Sequence, residues 1–421
     1  MTIDAARLGR LRAALDEDAA LALLKRAIAA ASVTGDEAAF AALLADTLGW
    51  LGAADVTLKD FAPGRPNVSA RLSGEGGGPK LLLVGHTDTV HVRGWAERWA
   101  GTERADPFGG AVVEGEIWGR GSGDLKAGIC TTLAAAGLVQ QAGLNLPREL
   151  LFAFIGDEES GEPGSGVSAG MKAFIAEIEA GAFPQPEIAV YVEPTQLNVY
   201  TAQMGFFICD ILVSGKSAYF GVPELGIDAL KAGHSVLSAL WALSQRLEAL
   251  APHRLVGSPF LLVTEVAAGG YIAVPGECRI SLILKLIPGQ SLDQAKAELE
   301  AAVRAAPLDD QIRLAFAYPA GRDHPVGGSP TETSEALPFV QTLSAALRSV
   351  RPDRGAIAGA PYWSEAPFLT AKLGVPTVYC APGDIRNCHT LEERVELTEY
   401  FDGIVAFAAF LAELAEAPAE R

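Results

Sequence analysis

The chain alternates short, wholly apolar runs with longer amphipathic ones. Residues 4–50 carry Ala and Leu at helical spacing. The break Thr34-Gly35-Asp36-Glu37 predicts an N-cap where a second helix starts. Residues 67–72 alternate apolar and polar, whereas Lys80-Leu81-Leu82-Leu83-Val84 is continuously apolar. These patterns predict an alternating strand and a fully buried one. The Gly-rich stretch 73–79 between them predicts a turn, and with no helix start after it a phosphate-cradling role is not indicated. A hairpin is predicted at 112–118, a helical run from 128 to about 141, and buried strands at 150–155 and 188–192. Strands separated by helices predict an α/β fold, with a mostly parallel sheet flanked by helices.

The texture changes near residue 203. Strands are expected at 206–213, 260–266, 278–287 and 312–317, and helices at 226–249 and 291–305. The order β-α-β-β-α-β is the ferredoxin-like α+β pattern. A helix at 335–350 and a strand at 376–380 restore the α/β texture. With 421 residues the chain is too long for one ordinary core. The expected organisation is a larger domain in two parts, 1–203 and 318–421, interrupted by a smaller one at 204–317. The Ala/Glu-rich tail after about 414 is expected to fray.

Chemistry concentrates where apolar runs stop. Residues 152–155 end in Gly156-Asp157-Glu158-Glu159 and then a Ser160-Gly161 turn. Like charges that close repel by kcal/mol amounts unless a cation or a proton offsets them. The run 81–84 ends in Gly85-His86-Thr87-Asp88, and 188–192 ends in Glu193-Pro194. Five candidate ligands follow strands or glycine-rich turns: His86, Asp124, Glu159, Glu193 and His389. Imidazole mixed with carboxylate suits zinc, manganese or cobalt better than calcium or magnesium. Asp124, in Gly119-Arg120-Gly121-Ser122-Gly123-Asp124, is a natural bridge between two ions, since glycines let the backbone approach closely. Asp88 is placed to accept the second ring N–H of His86, and Glu158 to act as general base on the attacking water. Each motif alone has a plainer reading: a structural His–Asp pair, a solvated Glu pair, a helix N-cap at Asp124, a turn at Glu193-Pro194. Their joint occurrence at successive strand ends, where open α/β sheets bind ligands, favours the metal reading.

Bulk properties narrow the partners. A net charge of −18 argues against nucleic acid and anionic membranes. It leaves small anionic substrates open, because a metal centre is locally positive. No apolar run reaches the length of a membrane span, and the first residues lack the plan of a signal peptide. The five cysteines are odd in number and lack Cys-x-x-Cys spacing, which favours a reducing cytoplasm. Cys388 beside His389 reads as a buried packing residue, with a soft ligand or nucleophile as the alternative.

Taken in order, Gly85-His86-Thr87-Asp88-Thr89-Val90, residues 119–128, Asp157-Glu158-Glu159-Ser160-Gly161, Val192-Glu193-Pro194-Thr195 and His389-Thr390-Leu391-Glu392-Glu393 resemble a known pattern. The chain is similar to the di-zinc metallopeptidase family of aminoacylase, acetylornithine deacetylase, succinyl-diaminopimelate desuccinylase and glutamate carboxypeptidase. The resemblance spans nearly the whole chain. It implies one ion held by His86, Asp124 and Glu193, and a second by Asp124, Glu159 and His389. It also implies Glu158 as base, a cis peptide at Asp124-Leu125, and an inserted lid domain whose edge strand often builds a homodimer.

The lid departs from that pattern. Tyr219 stands where the family usually has a histidine, Ile272 where an Asn is common, and Lys285 where an Arg binds carboxylate. An Arg-to-Lys exchange is not conservative at a bidentate carboxylate site. Tyr219, Phe220, Tyr271, Ile272 and Trp363 would make an unusually aromatic and apolar pocket. Two substrate readings follow: an N-acyl amino acid or related small amide, or an aromatic amine that loses ammonia, as in nitroanthranilate aminohydrolase. Arg322, His324 and Arg386 are candidate substrate anchors or plain loop charges, and Glu365 in Ser364-Glu365 is a candidate supporting carboxylate. A non-catalytic binding protein is the remaining class, and retention of all five ligands with Glu158 argues against it.

Overall fold

A computed structural model of the chain describes residues 3–159 and 165–416. The expected Ser160-Gly161 turn, and the tail beyond Glu416, lie outside the described residues. The chain divides into two compact units. The first comprises the described residues of Met1–Thr201, Thr333–Ala358 and Ser364–Arg421; the second is Ala202–Glu332 with Gly359–Trp363.

In the first unit, the strand Lys80–His86 lies at the centre of the sheet. It runs parallel to Glu149–Ile155 on one side and to Ile188–Tyr191 on the other. Thr377–Tyr379 continues the parallel set beside Ile188–Tyr191. Antiparallel strands flank it: Arg65–Ser73 and then Ala54–Ala62 at one edge, and Val199–Gln203 at the other. Leu81 to Val84 and Leu150 to Ile155 are fully buried, as expected for strands covered on both faces. Ala54–Ala62 left no such apolar signature, because it is an exposed edge strand carrying Asp55, Lys59 and Asp60.

The register sets the site. His86 pairs with Ile155, and Val84 pairs with Tyr191. Three strands therefore end level, so His86, the 157–159 turn and Glu193 come to one rim of the sheet.

The helical stretch 4–50 is three helices rather than two: Ala5–Ala14, Glu17–Ala29 and Ala38–Trp50. The extra break falls at Asp16, whose carboxylate accepts the Ala19 amide at 2.9 Å. Glu37 sits at the third N-cap position but makes no side-chain cap bond. Its carboxylate instead takes the Gly35 amide and the Arg65 guanidinium. Helix Leu397–Glu416 is buried along nearly its whole length, so it lacks the polar stripe that marks an amphipathic surface helix. A separate three-stranded sheet joins the hairpin Ala111–Val113 and Glu116–Trp118 to Arg394–Glu396.

The second unit has strand order Phe260–Ala268, Glu277–Leu286, Gly205–Ser214, Arg313–Ala317, all antiparallel. Alternate residues Phe207, Cys209, Ile211 and Val213, with Ile280, Leu282 and Leu284, form one core with helices Ala229–Glu248 and Leu292–Arg304. This is the ferredoxin-like arrangement. The unit continues past residue 317 because Gly327–Gly328 pairs with the Phe206-Phe207 edge.

Helix Ala127–Gln141 starts against the rim at Gly128, where a Cβ would stand 2.3 Å from the Val192 carbonyl oxygen. Alanine would gain about 1 kcal/mol of helix propensity, but overpacking against backbone costs about 1–3 kcal/mol. Gly128→Ala is therefore expected to lower the thermal unfolding midpoint; an unchanged or raised midpoint would show that the helix start has room to move.

Candidate metal centre

His86, Glu159 and Glu193 lie at or just past the ends of paired strands, Asp124 lies in the turn that leads into helix Ala127–Gln141, and His389 lies within a loop. His86 is the last residue of its strand and is 1% exposed. Its Nε2 lies 3.0 Å from Asp124 Oδ1 and 3.9 Å from Glu193 Oε1. The other Asp124 oxygen, Oδ2, lies 3.1 Å from His389 Nε2, and that same nitrogen is 2.9 Å from Glu159 Oε1. Donor atoms of His86, Asp124 and Glu159 all fall within 4.8 Å of one another. Two donors about 2.0–2.2 Å from a common ion stand roughly 3 Å apart, so the separations of 3.0, 3.1 and 2.9 Å fit shared coordination, and the 3.9 Å from His86 to Glu193 is longer. Asp124 precedes a cis peptide to Leu125, as the resemblance implied.

The cluster is electrostatically loaded. Burial pushes Glu193 up to about 8, with the Asp124 charge adding to it. Burial also raises half-buried Glu158 well above the usual carboxylate range, assisted by Glu193, Glu159 and Glu365. Burial alone would raise Asp124 too, but hydrogen bonds to His389 and His86 outweigh it and hold this carboxyl below the usual range. His389 shows the same balance: burial opposes its charge, yet Asp124 and Glu159 push it up to about 11. These carboxylates thus compete for two imidazoles.

Asp88 differs in detail from its expected role. The partner of His86 Nδ1 is the Asp88 backbone carbonyl, at 2.9 Å. The Asp88 carboxylate is 3.8 Å from that nitrogen, and accepts instead the amides of Glu158 at 3.2 Å and Glu159 at 3.0 Å. The Thr34 hydroxyl donates to it at 3.0 Å. The chain turns at the strand end, so the carboxylate reaches the neighbouring strand's turn while the carbonyl reaches the ring. Asp88 therefore ties the 158–159 backbone to His86.

Support surrounds the donors. Asp157, at φ +71°, accepts the amides of Gly166, Val167 and Ala169 and pairs with Arg65, so it holds the turn. Ser364 donates to Glu193 Oε1 at 2.6 Å, and buried Glu365 accepts the Tyr191 hydroxyl at 3.0 Å. Glu393 carried no assigned role in the sequence, yet it is buried and its Oε1 accepts the amides of Gly123 at 3.1 Å and Asp124 at 3.0 Å. Its other oxygen pairs with buried Arg120, which also donates to the carbonyls of His91 and Thr390. Both residues stood inside the motif stretches, but their pairing joins segments 273 positions apart, and local sequence carries no sign of it.

The remaining first-unit candidates, Arg386 and Cys388, make other contacts. Arg386 is exposed and forks onto Asp384. Cys388 is buried, burial raises its thiol well above the ordinary range, and Sγ donates to the Asp384 carbonyl, which matches the packing reading. In the second unit, Tyr219 and Ile272 are 61% and 62% exposed. Tyr219 stacks on Phe220 with centroids 4.5 Å apart. Lys285 and Arg322 both approach the Phe206 ring, and burial pushes Lys285 down to about 8. His324 faces Asp293. Among the described residues, no helix is long and apolar enough to cross a membrane.

Known proteins resemble this chain in sequence and in fold. The model of Peptidase family M20/M25/M40 matches residues 82–413. An acetylornithine deacetylase of Vibrio cholerae is 29% identical over 367 residues, covering 84% of this chain and 85% of its own. An N-formyl-4-amino-5-aminomethyl-2-methylpyrimidine deformylase of Bacillus subtilis is 26% identical over 385 residues, covering 83% of each. The fold matches the crystal structure of aminopeptidase PepT from Bacillus cereus with a TM-score of 0.74 at 16% identity, over 96% of this chain and 100% of that one.

The buried Arg120–Glu393 pair gives a stability test. Glu393→Ala would leave the guanidinium buried without its partner and two amides without an acceptor, at a cost of about 3–5 kcal/mol. The expected outcome is a large drop in the denaturant midpoint; a shift under about 1 kcal/mol would mean that solvent reaches Arg120 freely.

Proposed function

The chain belongs to peptidase family M20/M25/M40, and from that premise we propose that it is a binuclear metal-dependent hydrolase of small amides. Its relatives are hydrolases of amide and peptide C–N bonds, and this chain is a hydrolase of that class. One observation carries the binuclear reading: the two oxygens of Asp124 each face a different histidine, Oδ1 toward His86 and Oδ2 toward His389. A carboxylate so placed is a bridge.

On this reading His86, Asp124 and Glu193 hold one ion, and Asp124, Glu159 and His389 hold the other. The charges of Asp124, Glu158, Glu159 and Glu193 are then offset by two divalent cations with both histidines neutral. The donor set suits zinc, manganese or cobalt. When bound, such ions supply Lewis acidity: they make water a better nucleophile and stabilise negative charge on the attacked carbonyl.

Glu158 does the proton work. It is half-buried next to the donors, and burial raises its proton affinity above that of an ordinary carboxylate. It takes a proton from the attacking water and returns it to the departing nitrogen. Asp88 fixes Glu158 by its backbone and the His86 ring by its carbonyl, which makes Asp88 a positioning residue.

The substrate we infer is an N-acyl amino acid or a related small amide. Both named sequence relatives remove a small acyl group from an amine, which supports this class. A second reading, loss of ammonia from an aromatic amine, is supported by the exposed Tyr219, Phe220, Tyr271 and Ile272 and by Lys285 in place of an arginine. In either case the second unit serves as the lid and dimer-forming module, and the enzyme works as a cytoplasmic homodimer.

Glu158→Gln tests the base. It should keep its metal content and lose about 10²–10⁴-fold in kcat, and full activity would remove Glu158 from the mechanism. A panel of N-acetyl and N-formyl amino acids, dipeptides and aminobenzoates, assayed for released acid or ammonia, decides the substrate. Turnover of aminobenzoates alone would replace the amide reading with the deaminase one.

A further inference from the structure

We propose that Trp99 is a positioning residue for His389, acting through the carbonyl of Leu391. The inference rests on the reading of His389 as a ligand. His389 is unlike the other donors. Its side chain is 52% exposed, against 1% for His86. It sits at φ +60° within a loop rather than at the end of a paired strand. The two backbone bonds on either side of it are long: Cys388 N–H reaches the Ile385 carbonyl at 3.2 Å and Thr390 N–H the Asn387 carbonyl at 3.4 Å, whereas Asn387 N–H reaches the Asp384 carbonyl at 2.9 Å. Sheet register, which aligns His86 and Glu193, does not reach this residue. Its ring is placed by whatever grips the loop.

Three contacts grip the downstream flank. Trp99 Nε1 donates to the Leu391 carbonyl at 2.6 Å, Arg120 Nη2 donates to the Thr390 carbonyl at 3.0 Å, and Arg98 pairs with Glu392 at 2.8 Å. The Arg98–Glu392 pair is exposed on both sides, so it holds little. Arg120 also anchors Glu393, which carries the Asp124 amide, so a change there disturbs both halves of the centre. The Trp99 N–H bonds to the His389 side alone. Its own ring is well fixed: it meets Trp118 edge-on with centroids 5.3 Å apart, and Arg98 and Arg104 lie over it at 4.7 and 4.8 Å. A short hydrogen bond from a fixed donor, two residues from a ligand on an otherwise loose loop, is how an outer residue tunes metal affinity.

Trp99→Phe removes the N–H donor and keeps an aromatic, though smaller, side chain at the position. In a cobalt(II) titration followed by calorimetry and visible absorption, the parent is expected to take two ions. Trp99→Phe should weaken one of the two sites about tenfold and leave the other unchanged. The cobalt concentration for half-maximal turnover should rise by the same factor. Amides 388–392 should exchange with solvent faster, while 84–88 keep their protection. Glu392→Gln, which removes the exposed ion pair but leaves Arg98 over the ring, should change none of these. Two unchanged sites with unchanged exchange would overturn the proposal, and so would equal weakening of both sites, which is the mark of a merely structural role. Should the parent take up fewer than two ions, the ligand assignment fails, and the exchange of 388–392 in Trp99→Phe still decides whether Trp99 holds the loop.

Discussion

Mutual repulsion among carboxylates at one rim of the sheet is the constraint that the first unit is built around. Asp124, Glu158, Glu159 and Glu193 converge on two imidazoles, most of them buried. Such a group is stable only with protons or cations between its members. The histidines meet that need at two points, and Asp124 is in contact with both. The proposed pair of divalent ions would meet it in full, which links the electrostatics of the rim to the hydrolytic chemistry of the family.

The surrounding structure keeps these charges close without collapse. Parallel register brings three strand ends level, so the donors are aligned by backbone hydrogen bonds rather than by their own attraction. The turn at 157–159 is held from outside by Arg65 on Asp157 and from inside by Asp88 on two amides. The Asp124 loop is held by Glu393, and Glu393 by Arg120. Only the His389 loop lacks a strand behind it, and there side chains of segment 98–120 take over.

Much of this was legible in the sequence, for a physical reason. An apolar run that stops abruptly in His, Asp or Glu marks the end of a buried strand, and ligands gather there in open α/β sheets. The common rim position of His86, Glu159 and Glu193 was readable this way, and the β-α-β-β-α-β order of the second unit followed from strand-length runs and helical spacing. Tertiary pairing was not legible. Nothing local distinguishes the carbonyl of Asp88 from its carboxylate as the partner of His86. The Arg120–Glu393 pair depends on two distant segments meeting. Gly327–Gly328 has no side chains from which a strand could be read, yet its backbone extends the second unit's sheet. The edge strand Ala54–Ala62 was hidden by its exposure.

On the proposed reading Asp124 would bridge two ions. The most direct measurement is metal stoichiometry by elemental analysis on protein loaded with zinc or manganese and freed of excess, for the parent and for Asp124→Asn. Two ions per chain in the parent, with both affinities sharply reduced in Asp124→Asn, is the predicted result. A parent that retains no transition metal, or an Asp124→Asn variant that holds two ions as tightly as the parent, would contradict it.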